Sequence, residues 1–404
     1  MSELERLCRA EWGRLLAALI RTLGDFDLAE DALQEAFAAA FTQWGPSPPE
    51  NAAGWLYATA RNKALDRARR GERLAQKLAL VAPLESEAAA EALEVTSIPD
   101  ERLRLIFTCC HPALSADAQV ALTLRTLSGL STEQIARAFL IPATTLAQRL
   151  VRAKSKIRDA RIPYAIPERS ELPERSNAVF AVLYLVFNEG YGAASGELLS
   201  QNGLCAEAIS LARWVKVLLP LPDADALLAL MLLQNARRHA RVDADGELVL
   251  LADQDRGRWD RAEIEEGLAL VQSALQSGPT LSYGLEAAIA AVHAEATTAE
   301  GTDWPQIVAL YERLAVLHPS PVVLLNRAVA VSFATGPEAA MPLVEALTEA
   351  LADYYLWHAT RADLFRRLGR NELAVRCYER ARSMTQNATE RRFLTRRIEA
   401  LGGR

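Results

Sequence analysis

Hydrophobic residues recur along the chain with the three- to four-residue spacing of amphipathic helices, most clearly between Ser128 and Lys156. Ile135 and Phe139 mark one apolar face before Pro142, and a longer stripe follows that proline. This second stripe consists of Leu146, Leu150, Ala153 and Ile157. The spacing predicts two short helices joined by a tight turn.

Local signals at the ends of these helices support the same interpretation. Ser131 with Gln134 three residues later has the pattern of a capping box, and Pro142 suits the first turn of a helix. Beside the second stripe lies a polar face made of Thr145, Gln148, Arg149, Arg152 and Lys156. Such side chains bond base edges and phosphates in a major groove. A solvated helical hairpin has the same pattern, so the segment alone leaves both interpretations open.

Two further helical patterns precede this segment. The helix that ends near Trp44 has an apolar face of alanines, leucine and phenylalanine. The proline-rich stretch from residue 45 to 51 cannot be helical. From Ala52 to Lys77 the pattern is helical again and rich in arginine, and Trp55 and Tyr57 lie near its start. Arginines beside aromatic rings suit a nucleic-acid strand, although Trp55 equally fits a core position.

Composition and charge narrow the class of protein. The chain has 404 residues, half of them hydrophobic, with few aromatics and a net charge of −6. This length allows several domains, and the composition favours an all-α protein. Basic residues concentrate in two stretches, 59–77 and 131–161, whereas the chain after Arg161 is net acidic. The pattern predicts that nucleic acid contacts two places on the protein.

The sequence gives little support for a metal site, a disulfide, a signal peptide or a membrane span. The five cysteines follow no metal or disulfide spacing, so we expect free thiols, no metal site and a reducing cytoplasm. The pair Cys109–Cys110 with His111 lacks a second half-site. Gly13 and Arg14 interrupt any apolar run near the N-terminus, and the most apolar run, residues 226–233, is too short to cross a bilayer. We therefore expect no signal peptide and no membrane contact.

Three segments together resemble the extracytoplasmic-function sigma factors of bacterial RNA polymerase. They are DLAEDALQEAFAAAF (27–41), GWLYATARNKALDRARR (54–70) and LSGLSTEQIARAFLIPATTLAQRLVRAK (127–154). Their order and spacing match the family, and three matches in register are far more specific than one. The resemblance implies a dissociable subunit that binds core polymerase, recognises the −10 and −35 promoter elements and has no catalytic residue or cofactor of its own.

The resemblance also implies roles for particular residues. Asp31, Gln34 and Glu35 match the region that docks on the clamp of the largest polymerase subunit. The −10 contacts are implied for Ser47, Asn51, Asn62, Lys63, Asp66, Arg67 and Arg70. The −35 contacts are implied for Thr144 and for the polar face from Thr145 to Lys156 described above, in a domain that meets the flap of the second-largest subunit.

The implied domain order is region 2 in residues 1–77, an acidic linker in 78–98, region 4 in 99–162 and a C-terminal helical extension in 163–404. In this extension, Gly369, Ala374, Tyr378 and Ala381 match positions of a tetratricopeptide (TPR) repeat, and Gly336 lies close to one repeat period earlier. The extension resembles the TPR-like extension of one subgroup, which implies a protein or peptide partner.

Two local features of the extension generate further expectations. The stretch from Arg241 to Ala252 carries Asp245–Gly246 between apolar residues, which predicts one small β-hairpin. Asn188, Glu189 and Tyr191 lie in the sequence NEGYG, which predicts an interdomain or ligand-facing turn, or a helix C-cap with Gly190 in the left-handed conformation.

Two alternative functions remain at this point. A helix-turn-helix regulator with a TPR interaction domain would bind promoters without replacing sigma. An enzymatic or receptor role for the C-terminal half lacks any phosphate loop, dinucleotide fingerprint or nucleophile elbow to support it.

Overall fold

The computed structural model describes residues 3–44, 49–70, 98–139, 141–192, 202–243, 246–277, 282–385 and 387–402. Within these ranges it contains nineteen α-helices, three short 3-10 turns and no β-strand, which confirms the all-α expectation for this part of the chain. The chain divides into two compact units, a first unit of residues 1–186 and a second unit of residues 187–404.

The first unit is built from eight helices in its described residues, the last of which continues into the second unit. They are α1 (Glu3–Leu23), α2 (Phe26–Gln43), α3 (Ala52–Arg70), α4 (Ile98–Cys109), α5 (Ala116–Thr126), α6 (Thr132–Ala138), α7 (Ala143–Asp159) and α8 (Leu172–Gly192). Asp25 caps α2, because its carboxylate accepts a hydrogen bond of 2.9 Å from the backbone N–H of Leu28. A run of fully buried alanines on α2 and α3 lets these two helices approach closely.

The predicted helix-turn-helix is confirmed as α6, a short turn and α7. Ser131 and Gln134 form the reciprocal capping box: the Ser131 hydroxyl accepts from the Gln134 N–H at 3.1 Å, and the Gln134 side chain accepts from the Ser131 N–H at 2.8 Å. Pro142 is the N-cap residue of α7. The predicted stripe of Leu146, Leu150, Ala153 and Ile157 is buried along its whole length. Because this stripe is buried, the other faces of α7 are the ones left accessible to solvent or to a partner.

The cysteines whose side chains are described are free and buried, namely Cys109, Cys110, Cys205 and Cys377. Burial raises the pKa of the Cys110 thiol to about 12 and also raises that of Cys109, so both are protonated at neutral pH. The His111 Nδ1 atom already accepts from the N–H of Ala113 at 3.1 Å. Groups of three or more potential metal ligands are absent from the described part of the chain.

The second unit consists of eleven helices in its described residues. They are α9 (Asn202–Leu218), α10 (Pro222–Asn235), α11 (Arg261–Gln276), α12 (Ser282–Glu295), α13 (Trp304–Leu317), α14 (Pro321–Ala334), α15 (Pro337–Glu345), α16 (Thr348–Leu351), α17 (Tyr355–Arg367), α18 (Asn371–Met384) and α19 (Ala388–Ala400). None of the described helices, in either unit, combines the length and apolar character that a bilayer crossing requires.

The predicted β-hairpin between Arg241 and Ala252 is wrong. Its described residues contain one isolated antiparallel bridge, between Val242 and Leu248, and no strand. A tight turn is present, because the Asp243 carboxylate accepts from the N–H of Glu247 at 2.8 Å. The pairing then stops, because the chain enters a 3-10 turn at Leu251. The alternation of polar and apolar residues was too short to build a ladder.

Successive helices of the second unit pack against each other around small residues. Ala374, Tyr378 and Ala381 of α18 are buried in one apolar cluster with residues of α17 and α19. Gly369 occupies the turn before α18 with a φ of 71°, and Gly336 precedes α15 with a φ of 108°. Glycine is the residue that adopts such angles without strain. These positions are where the repeat pattern placed its turn and packing residues.

Trp357 is the largest buried side chain of another apolar cluster in the second unit. Its indole N–H donates to the Val344 carbonyl oxygen at 2.9 Å, and its ring packs with Leu325, Leu347 and Leu364. The guanidinium of Arg361 lies 4.5 Å from the ring centre. One side chain therefore ties α14, α15 and α17 together.

Replacing Trp357 with alanine is expected to lower the free energy of unfolding of the second unit by about 3–5 kcal/mol, because the change opens a cavity in a packed core. Urea denaturation followed by circular dichroism measures this loss. The matched control is Val316→Ala, whose side chain is 82% exposed, and it should change the free energy by less than about 0.5 kcal/mol. Equal effects of the two changes would contradict the assignment of Trp357 as the core anchor.

Candidate polymerase and nucleic-acid interfaces

The predicted polymerase-docking residues lie on α2: Asp31 and Glu35 face the arginine-rich helix α3, and the Gln34 amide donates to the Glu30 carboxylate at 3.3 Å. The side chains of Asp31 and Glu35 are 57% and 41% exposed, and both pair with Arg67: Nη1 lies 2.6 Å from the Asp31 carboxylate, and Nη2 lies 2.9 Å from that of Glu35. The Lys63 ammonium is 3.6 Å from Glu35. We call Asp31, Glu35, Lys63 and Arg67 the α2–α3 ion network. Two sets of residues predicted to serve different partners thus share one continuous surface.

The remaining predicted −10 residues have different environments. Asn62 and Asp66 are exposed on α3. Asn51 begins this helix, because its side-chain oxygen accepts from the N–H of Gly54 at 2.8 Å. Its amide therefore has a structural role in addition to its predicted one. Ser47 and the side chain of Arg70 lie outside the described residues.

The aromatic residues near the start of α3 are tied to neighbouring helices. The Trp55 ring packs edge-on against Trp44, with 5.2 Å between the ring centres. The Tyr57 hydroxyl lies 2.9 Å from the Thr22 hydroxyl of α1. Both residues are half-buried. This geometry favours a packing role for Trp55 and Tyr57 over a stacking platform for bases.

The predicted −35 residues share one outward face of α7, which we call the α7 polar face. Thr144, Thr145, Gln148, Arg152 and Lys156 are all exposed on it. Arg149 is half-buried, because its guanidinium pairs with Asp117 of α5 at 3.1 Å. Thr144 and Thr145 lie in the first turn of α7, the part of a recognition helix that reaches base edges in helix-turn-helix proteins. The structure thus brings all six residues together.

A group of charges lies between α2, α5 and α7, with only its Asp27 member exposed, and the sequence patterns did not predict it. Glu30 is only 7% exposed. The Lys154 ammonium lies 2.7 Å from the Glu30 carboxylate and 2.8 Å from that of Asp27, and Arg125 pairs with the same Glu30. We call these four residues the Glu30 cluster. Burial works against the charge on Lys154, but the two carboxylates outweigh it and hold its pKa above the ordinary value.

The one sign of this cluster in the sequence is the position of Glu30. It interrupts the apolar face of α2 between Ala29 and Leu33, where a solvated glutamate is out of place. A carboxylate at such a position needs a buried partner. The sequence cannot name the partners, because Arg125 and Lys154 lie 95 and 124 residues further along the chain.

The NEGYG segment, in contrast, is helical. Asn188, Glu189 and Tyr191 lie in the last turns of α8, and Gly190 does not have a positive φ, so both the predicted turn and the left-handed cap are wrong. Gly190 is needed for space instead, because an added Cβ would lie 2.8 Å from the backbone nitrogen of Cys205. Tyr191 stacks on Phe187 and lies under the guanidinium of Arg241, 3.7 Å from its ring centre.

The second unit also contains a cleft of about 770 Å³. Its aromatic residues include Trp304 and Phe333, which stack with 4.3 Å between ring centres, and Tyr311. His293 and Arg256 contribute polar groups to the lining. Burial and nearby arginines lower the pKa of His293 to about 4, so this imidazole is neutral at physiological pH.

Three protein-family profiles match separate parts of the chain. Residues 9–74 match Sigma-70 region 2, and residues 104–157 match Sigma-70, region 4. The first match includes α2 and α3, and the second includes the helix-turn-helix. Residues 175–275 match a family of unknown function (DUF6596).

The chain is also similar over nearly its whole length to a bacterial relative. It is 43% identical over 393 residues to "Uncharacterized protein R00370" of Rhizobium meliloti (strain 1021), an alignment that covers 96% of this chain and 93% of the relative. The alignment thus extends over nearly the whole of this chain and is not confined to one of its regions. The chain belongs to the sigma-70 family of non-enzymatic RNA polymerase sigma factors, with an extracytoplasmic-function-like pair of regions 2 and 4 followed by a DUF6596 extension.

Proposed function

We propose that this sigma factor binds core RNA polymerase through α2, recognises the −10 element through α3 and reads the −35 element through α7. The observation that carries the proposal is the α7 polar face, six side chains that can bond bases or phosphates, set over a fully buried stripe in a region 4 helix-turn-helix. Such a face fits the major groove of duplex DNA. The place of action is the cytoplasm, where polymerase and DNA are found.

The α2–α3 ion network supports the proposed role of region 2. Its pairs are exposed, and exposed ion pairs contribute only about 0–1 kcal/mol to stability. A charged partner can therefore replace them at little cost. Asp31 and Glu35 are available to basic groups of the polymerase clamp, and Lys63 and Arg67 are then free to bind phosphates of the −10 strand.

The C-terminal extension is proposed to modulate the activity of the sigma regions by binding a protein or peptide partner. Its helices pack in succession as those of TPR-like domains do, and its aromatic cleft offers apolar surface next to polar groups. A cleft of this volume, lined by apolar side chains with a few polar groups, is the size of a small-ligand site and can hold one or two side chains of a bound peptide. Deleting the extension shows whether it inhibits transcription by the sigma regions or is required for it.

Reconstituted transcription tests the function and the role of the extension together. Purified protein with core polymerase is expected to give a specific transcript from the promoter upstream of its own gene. A chain ending at Gly192 keeps all the described helices of the first unit and removes the rest. More transcript from this shortened chain identifies an inhibitory extension, and less identifies a required one.

Binding to DNA without polymerase separates the two candidate functions. A helix-turn-helix regulator that does not replace sigma would bind the duplex tightly alone and give no transcript with core. That pair of results, obtained with both the full chain and the shortened one, would overturn the proposal.

Replacing Arg149 with alanine is expected to weaken discrimination at the −35 element by about 1–3 kcal/mol, because one base-edge contact of the α7 polar face is lost. The measurement compares holoenzyme affinity for the natural promoter and for promoters with single substitutions in the −35 element.

The matched control for this variant is Asp117→Asn, which breaks the same ion pair but leaves Arg149 in place. It should retain the discrimination of the wild type. An equal loss of affinity on every promoter for Arg149→Ala would show that Arg149 contacts only the DNA backbone.

A further inference from the structure

A short segment of the second unit lies in a groove formed by three of the unit's own helices. Residues 247–251 follow the tight turn at Asp243, and we call them the inserted segment. Leu248 and Leu250 line a concave surface together with residues of α14, α17 and α19, and we call this surface the groove. The two leucines are two positions apart, so an extended backbone turns both to the same side. The chain thus places part of itself on a surface that can hold an extended peptide.

Two arginines at the rim of the groove hold the start of the inserted segment. The Glu247 carboxylate pairs with both: Arg392 Nε lies at 2.7 Å, and Arg396 Nη2 lies at 2.8 Å. These arginines are one turn apart on α19, so they face the same ligand. The Glu247 side chain is 15% exposed, whereas both arginine side chains are about half exposed. The rim therefore selects a carboxylate.

The other acidic residues of the groove are already paired with neighbouring groups. Glu390 accepts from the Tyr355 hydroxyl at 2.7 Å, and Asp363 pairs with Arg366 at 2.7 Å. Arg397 adds a further positive charge to the lining. In the described part of the chain, Arg392 and Arg396 find an acidic partner in Glu247 alone. An incoming ligand therefore meets positive charge at the α19 end of the groove.

The inserted segment does not fill the groove. A space of about 240 Å³ remains beside Leu248 and Leu250. Leu250 and Phe333 line both this space and the aromatic cleft, so the two cavities lie side by side. Leu250, Phe333 and Leu356 are all exposed. Exposed apolar side chains gathered at one place mark an interaction site.

We propose that the groove binds an extended segment of a partner protein, and that the inserted segment occupies this site until the partner displaces it. This inference rests on the proposed function and names the kind of partner. The inserted segment defines the required chemistry: a carboxylate, followed by apolar side chains one and three positions later. A longer segment of this kind also fills the space that Leu248 and Leu250 leave empty.

The way in which the inserted segment is attached allows it to be exchanged. Its described pairing with another part of the backbone is one isolated bridge, between Val242 and Leu248. Its ion pairs involve half-exposed arginines, where water already weakens the attraction. A partner that carries the same groups replaces each of these side-chain contacts with an equivalent one.

The test uses the full chain and a fluorescently labelled synthetic peptide, DADGELVLLA, which copies residues 243–252. Glu247→Lys empties the groove, because the lysine faces Arg392 and Arg396. Asp253→Lys is the matched control, since it makes the same change in charge at an exposed residue just after the inserted segment. A double variant, Arg392→Glu with Arg396→Glu, reverses the charge of the rim. Far-UV circular dichroism shows that each form is folded.

Fluorescence anisotropy measures the affinity of each form for the peptide. A segment that is in place nine-tenths of the time lowers the apparent affinity of a competing ligand about tenfold. We therefore expect the peptide to bind Glu247→Lys about tenfold more tightly than it binds the wild type or Asp253→Lys. The double arginine variant should lose this peptide and bind instead a peptide with lysine in place of the glutamate.

Hydrogen exchange on the wild type locates the bound peptide without any substitution. The Val249 N–H donates to the Arg241 carbonyl oxygen at 2.9 Å, and the Asp253 N–H donates to that of Leu250 at 2.8 Å. Saturating peptide should speed exchange of these two amides, because the inserted segment leaves the groove. Peptide that binds the wild type without this change is bound elsewhere, which would overturn the proposal.

Failure of this inference and failure of the proposed function give different results. If the wild type transcribes with core polymerase but the peptide binds Glu247→Lys no more tightly than Asp253→Lys, the groove is not a partner site and the proposed function stands. If the peptide binds as expected but the wild type gives no transcript with core, the groove stands as a peptide site and the proposed function is wrong.

Discussion

The close approach of α2 and α3 is the constraint on which the first unit depends. Ala32, Ala36, Ala60 and Ala64 are fully buried, so the two helices meet over small side chains. This proximity lets the short Asp31 side chain reach Arg67 on the opposite helix. With larger residues in the seam, the helices would lie further apart and the α2–α3 ion network would be lost. The proposed polymerase face and the proposed −10 face are thus joined by packing and not by a loop.

Burial divides the charges of α2 into two groups with different physical consequences. Asp31 and Glu35 are exposed, so water already screens their pairs and another charged surface can replace them. Glu30 is buried, so removing either of its cationic partners would leave an uncompensated charge in the interface. Helix α2 therefore carries two kinds of ion pair. Another charged surface can replace the exposed pairs of Asp31 and Glu35, whereas the buried Glu30 needs its partners to stay in place.

Sequence periodicity predicted the local structure of the site well and its long-range contacts poorly. The stripe from Leu146 to Ile157 and the Ser131–Gln134 capping box follow from spacing alone, and both are present. The Glu30 cluster joins residues about a hundred positions apart, and no local rule relates them. The β-hairpin failed because its alternation is too short to build a ladder, and the turn at Tyr191 failed because the segment continues as a helix in which Gly190 packs closely against Cys205.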